Sequence, residues 1–155
     1  ANPAATFDVV IEFPLHAAHA FSGNLYSKEF FALCRAHLDD DGVFMIRTGD
    51  AYSTARTLTE VFEDVGRTSG HSYIAAKQPL VFDAVSLGVS RDELLGHLEA
   101  DRETIVANTL GAPINYDFAP NSEYYMTYSH TWIMVAPELY RTEPADKLRT
   151  MVSVR

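Results

Sequence analysis

The stretch FDVVIEFPLHAAHAFSGNLYSKEFFALCRAHLDDDGVFMIR, residues Phe7 to Arg47, decides the fold. Its first five residues, FDVVI, are a short run rich in β-branched side chains, which suits a strand buried on both faces of a parallel sheet. The loop EFPLHAAHAFSGN follows, and from Ser27 the pattern turns helical. Ser27 can cap the helix, Glu29 suits the positive end of its dipole, and Phe30, Phe31, Cys34 and Leu38 fall on one face. Asp39, Asp40, Asp41 and Gly42 read as the stop, and VFMI at Val43 to Ile46 reads as a second buried strand. Strand, helix, strand in that order predicts a parallel crossover of right-handed sense.

Outward from this unit, Ala55, Leu58, Val61, Phe62 and Val65 recur at helical spacing, with Gly66 as the terminator. HSYIAAK, His71 to Lys77, reads as a further strand. Ser90 and Glu93 form a capping box ahead of Leu94, Leu95 and Leu98. A second short helix carries Ile105, Val106 and Leu110 and ends at Gly111. From Ala112 to Trp132, Tyr116, Tyr124, Tyr125, Tyr128 and Trp132 stand among turn residues, which favours an ordered aromatic loop that reaches a pocket or covers a sheet edge.

The 155 residues suit one domain, and the 47% hydrophobic and 21% charged content is that of a globular chain. A net charge of −9 argues against a phosphate-backbone partner, which needs clustered Lys and Arg. Cys34 is the only cysteine, so no internal disulfide forms, and a buried thiol of this kind suits a reducing, cytoplasmic setting. No apolar run approaches the roughly 20 residues of a membrane span. The partners expected are therefore a small-molecule substrate, with no nucleic acid and no membrane.

FDVVI, followed by NLYSKEFFALCRAHLDDDGVFMI, resembles the spermidine synthase family of aminopropyltransferases, above all its bacterial spermidine-synthase-like branch. There a YDVVI strand and a Pro-containing loop precede a segment of the NLFTREFYELARRRLAPGGV type. Asn24, Leu25, Tyr26, Ser27, Glu29, Phe30, Phe31 and Gly42 match it in order. The similarity is strongest from residue 7 to about residue 77 and continues more weakly through TARTLTEVFEDV and INYDFAPNSEYY, which is similar to that branch's TDDRPYLEY element. From about Ser129 onward it stops.

The resemblance implies an α/β, Rossmann-like methyltransferase sheet, of which this chain represents the carboxyl-terminal half with added short helices and the aromatic loop. It also implies aminopropyl transfer from decarboxylated S-adenosylmethionine to a polyamine. The family's Gly-rich, cofactor-binding first half is expected to lie outside the chain, since no G-x-G-x-x-G occurs in it. Pairing with that half, or homo-oligomer formation through an uncovered sheet edge, follows as an expectation. No co-substrate site is visible in the sequence, so decarboxylated S-adenosylmethionine, or S-adenosylmethionine itself, enters as co-substrate of an intact form.

The family's acidic DSSDP-type loop is replaced here by EFPLHAA, which leaves Glu12 as its only carboxylate and His16 as the nearest alternative base. Glu12 and His16 are therefore the candidate catalytic residues. Arg47 stands where polyamine synthases commonly place Gln, and a guanidinium would repel a polyamine. With Tyr124 and Tyr125 it makes up the candidate substrate-binding set, although aromatic clusters more often serve cores and interfaces. Tyr26 reads as a packing residue.

Glu12, His16 and His19 spell E-x-x-x-H-x-x-H, a loop spacing without a zinc-site precedent, and no metal is expected. Two other function classes stay open. One is a non-catalytic assembly domain derived from the fold, and the other is an S-adenosylmethionine-dependent methyltransferase whose neutral or anionic substrate tolerates Arg47.

Overall fold

A computed structural model describes residues 5–13, 23–48, 51–69, 71–119 and 152–153. The chain opens with β1 (Phe7–Glu12), a 3-10 turn (Gly23–Tyr26), α1 (Lys28–Ala36), β2 (Leu38–Arg47) and α2 (Ala51–Val61). It continues through β3 (Asp64–Thr68), β4 (Ser72–Ala76), β5 (Phe82–Asp83), α3 (Arg91–His97), β6 (Leu98–Ala100), α4 (Arg102–Asn108) and β7 (Val152–Ser153). Five strands form one sheet in the order β1-β2-β4-β3-β6, and β5 and β7 pair apart from it.

β1 and β2 run parallel, as the crossover through α1 requires. The remainder of the main sheet is antiparallel, because β4 lies between β2 and β3 and opposes both. Within the main sheet the parallel pairing expected of the crossover is thus confined to β1 and β2. A short turn joins β3 to β4, and a connection of that length permits only an antiparallel neighbour.

Period-2 alternation along β4 sends Tyr73 and Ala75 to one face of the sheet and Ile74 and Ala76 to the other. The first face packs against α1, α2 and α4 through Phe31, Cys34, Leu58 and Ile105, together with Phe44, Phe62 and Val65. The second is covered around Leu80, Ala84 and Leu98, with Leu94 and Leu95 of α3 against it. Tyr26 is buried in the first cluster, in keeping with its reading as a packing residue.

Helix starts follow the sequence signals closely. Ser27 Oγ accepts the Phe30 N–H at 3.1 Å, and Ser90 Oγ accepts that of Glu93 at 3.1 Å. Asp101 caps α4 through the Thr104 N–H at 2.8 Å.

Helix stops differ from expectation. α1 ends at Ala36 with His37 as its C-cap, and Leu38 through Gly42 already belong to β2. Here the register slips: Phe7 faces Leu38, but Val9 faces Val43, so β2 bulges through Asp39, Asp40, Asp41 and Gly42. Lys77 secures the bulge, its Nζ donating to the Leu38 carbonyl at 2.6 Å and standing 3.7 Å from Asp40. Gly66 is likewise no helix terminator. α2 ends at Val61, and Val65 and Gly66 lie in β3, where Val65 keeps its place in the first cluster.

β1 departs furthest from the double burial expected of it. Val10 packs against the first cluster, whereas Phe7, Val9 and Ile11 are exposed on the other side. Nothing among the described residues pairs with the outer edge of this strand.

Candidate functional site

The candidate site lies at the carboxyl ends of β1 and β2, the rim at which open α/β sheets take their ligands. The helix that joins them returns along β1: the Phe7 N–H donates to the His37 carbonyl at 2.9 Å, next to the end of α1. The opposite end of α1, with Ser27 and Lys28, therefore stands near the rim where Glu12 ends its strand.

Glu12 is half-buried on the helix-covered face, and burial pushes its carboxyl above the ordinary value of 4.5. A carboxylate made more basic in this way is better suited to accept a proton near neutral pH. Cys34 shares the environment. Burial first, then the negative charge of Glu12, pushes its thiol up to about 11, so it is an inert core residue and no nucleophile at neutral pH.

The raised Glu12 value means that the folded protein holds this proton more tightly than the unfolded chain does. Its stabilising contribution is complete below 4.5 and is lost as pH rises through the folded-state value. Glu12→Gln should therefore raise the thermal midpoint at pH 7, and the gain over wild type should vanish below pH 4.5. Paired thermal melts across that range provide the check, and a variant less stable than wild type at pH 7 would contradict the assignment.

Arg47 is the last residue of β2, and it is exposed. Glu12 aligns with Ile46 across the parallel pair, so strand alternation sends Glu12 to the helix-covered face and Arg47 to the other. The two candidates share a rim without sharing a face. Next to Arg47, the Thr48 N–H donates to the His71 carbonyl at 3.1 Å, and its Oγ1 lies 3.3 Å from Thr54 Oγ1. His71 adopts the left-handed backbone, with φ of 62°. His16, His19, Tyr124 and Tyr125 lie outside the described residues.

A further arrangement at this end falls in the first part of the loop expected from Ala112 to Trp132, but its contacts go to helices, not to a sheet edge. Residues 112–119 form a strap across the start of α1 and the side of α2. The Lys28 N–H donates to the Asn115 carbonyl at 2.8 Å, and the Asn115 N–H donates to Thr57 Oγ1 at 3.0 Å. Thr57 in turn donates to the Ser53 carbonyl at 2.6 Å, and the Asp117 N–H donates to Glu29 Oε2 at 3.1 Å. Asn115 is wholly buried by these contacts. Ser53, Thr54 and Thr57, a polar stripe at helical spacing in the sequence, are buried along with it, and that stripe was the one available signal.

The strap and Ser27 take up amides in the first turn of α1, so this helix end is closed by the chain itself. At the rim, the described residues provide a partly desolvated carboxylate, that of Glu12. They also hold no group of three or more His, Cys, Asp or Glu side chains placed to bind a metal ion. No helix among them is long and apolar enough to cross a membrane. A cleft walled by Tyr52, Arg67 and Tyr73 lies between α2, α4 and the sheet and contains none of the candidate residues.

No protein-family model matches the chain, and no curated protein matches it. Among solved structures it is similar to the crystal structure of a probable spermidine synthase from Corynebacterium glutamicum, with 21% identity and a TM-score of 0.54. That match covers 74% of this chain and 50% of the other, so the chain spans about half the length of the solved protein it matches. The chain thus has a mixed α/β fold like that of the solved protein over the part the two share.

Proposed function

We propose that the chain forms the acceptor side of an S-adenosyl-type transferase of spermidine-synthase-like ancestry, with an amine as the acceptor. One observation carries this reading: Glu12 ends a parallel strand at the ligand rim with a desolvated carboxyl whose proton affinity is raised. An amine attacks carbon only as the neutral base, so an ammonium substrate has to surrender a proton first. Glu12 accepts that proton, and its negative charge beforehand attracts and orients the ammonium.

The donor, decarboxylated S-adenosylmethionine in aminopropyl transfer, would supply a carbon activated by a sulfonium. Residues that hold it are not assigned to this chain. His16 stands as the alternative base, and Tyr124 and Tyr125 as walls for the acceptor's alkyl chain. Arg47, on the opposite face at the same rim, favours an acceptor with few cationic centres over a long polyamine.

A non-catalytic assembly domain is the second reading, and the closure of the α1 start by Asn115 favours it. A methyltransferase with a neutral or anionic substrate is the third, and exposed Arg47 favours that one. Titration calorimetry with spermidine, decarboxylated S-adenosylmethionine and S-adenosylmethionine separates the three. Heat with spermidine that is lost in Glu12→Gln supports the acceptor reading. A response to S-adenosylmethionine alone turns the case towards methyl transfer, and no heat with spermidine counts against the acceptor reading.

A further inference from the structure

Resting on the reading of this rim as an amine-acceptor site, we infer that the acceptor is an amine that also carries a carboxylate. Glu12 holds its ammonium on one face of the sheet end, and Arg47 with Ser72 holds its carboxylate on the other. The chain has 21 Asp and Glu against 12 Lys and Arg, so carboxylates to pair with an arginine are plentiful. Arg35, Arg56 and Arg67 pair with Glu63, Glu60 and Glu99 at 3.5, 2.7 and 2.8 Å, and Arg102 donates to the Thr59 carbonyl at 3.0 Å. Arg47 has no such partner among the described residues, and it stands exposed at the end of β2.

The neighbours of Arg47 suit an anionic oxygen group. Arg47 aligns with Ser72 across β2 and β4, and Ser72 with Thr68 across β4 and β3, so the three form a row on the face opposite Glu12. Side chains directly opposite have Cβ atoms roughly 4.5–5.5 Å apart, close enough for the Arg47 guanidinium and the Ser72 hydroxyl to donate to one carboxylate. Thr68 Oγ1 already donates to the Ser72 carbonyl, at 3.4 Å. Beside the row, the Thr48 N–H donates to the His71 carbonyl at 3.1 Å and ties the end of β2 to the start of β4.

Glu12 supplies the opposite sign one strand away. It aligns with Ile46, the residue before Arg47, so the two charged side chains leave the sheet on opposite faces. Sheets pack about 10 Å apart, which makes a side-chain layer about 5 Å deep and sets the two charges on the order of 10 Å from each other across the strand ends. Hydrogen bonds of roughly 2.8 Å at either end leave about 4–5 Å between the ligand's nitrogen and its carboxylate, the reach of a short ω-amino acid. A second ammonium in place of that carboxylate would face a guanidinium that stays charged at any physiological pH, and the contact would turn repulsive.

Titration calorimetry of the 155-residue chain, in a buffer free of amines and phosphate, compares three probes of equal carbon length. They are γ-aminobutyrate, the diamine putrescine, which differs from it only at the far end, and butyrate, which lacks the amine. The amino acid should bind at least tenfold more tightly than either of the others. Arg47→Gln, at an exposed position, should abolish the preference over putrescine without weakening putrescine itself, whereas Glu12→Gln should weaken both amines. Putrescine bound more tightly than γ-aminobutyrate, with that binding lost in Glu12→Gln, would overturn the inference and leave the acceptor reading standing. A preference for the amino acid that survives Arg47→Gln would do the same. If neither amine binds, the inference and the acceptor reading fall together.

Discussion

Phe44→Ala is expected to destabilise the protein by about 3–5 kcal/mol, the usual cost of truncating a buried phenylalanine. Phe44 is 0% exposed and stands at the centre of a row of rings. Its centroid lies 5.6 Å from that of Phe31 in α1 and 5.6 Å from that of Phe62, with which it is stacked at 7°. Truncation would remove both aromatic contacts and open a cavity between α1, the sheet and the end of α2, where rigid neighbours limit collapse. Domains of this size are stable by only roughly 5–15 kcal/mol, so the variant would retain little margin. Urea unfolding followed by circular dichroism measures the loss, and a change below about 1 kcal/mol would show that this row of rings is not the centre of the core.

Gly42→Val should be comparably damaging for a different reason. A Cβ placed on Gly42 would lie 2.8 Å from the Phe7 carbonyl oxygen, and 3.1 Å and 3.2 Å from the backbone N and O of Asp39. All three atoms are backbone, so no flexible side chain can move aside. Either β1 is pushed away from β2 or the bulge is remodelled, and in both cases the parallel pair that carries the rim is lost. The expected cost is on the order of 2–3 kcal/mol, in the range of overpacking and strain effects. Gly42→Ala tests the same contact with a smaller group and should fall between Gly42→Val and wild type. An Ala variant as stable as wild type would show that the bulge can yield.

Much of this architecture is readable from local chemistry. Ser27 and Ser90 announce helix starts because a short hydroxyl side chain satisfies an orphan amide three residues on, a requirement confined to neighbours. The bulge is different. Asp39, Asp40, Asp41 and Gly42 carry every mark of a helix stop, and only the approach of Phe7, from a distant part of the chain, makes glycine necessary where it stands. β3 was hidden for a related reason: Val65 continues the helical spacing of α2, so a five-residue strand containing Gly66 resembles a helix end.

At the rim, Glu12 and Arg47 were legible because strand ends are. Their separation onto opposite faces depends on the register of β1 against β2, which the bulge sets. The buried polar group formed by Ser53, Thr57 and Asn115 left almost no trace in the sequence. Hydroxyls at helical spacing normally read as a solvated stripe, and their partner arrives from 58 residues away.

The strap has one more consequence, concerning cooperativity. α1 has nine residues, fewer than the roughly 12–15 at which an isolated helix becomes even marginally stable in water. Its first amide is satisfied by Asn115 and its first carboxylate, Glu29, by the amide of Asp117. Residues 112–119 are therefore energetically part of a helix from which they are remote in sequence. Whatever loosens them frays α1 from its start, at the end that faces Glu12. The order of the rim is thus set by a clamp, and the two can be expected to open as a single unit.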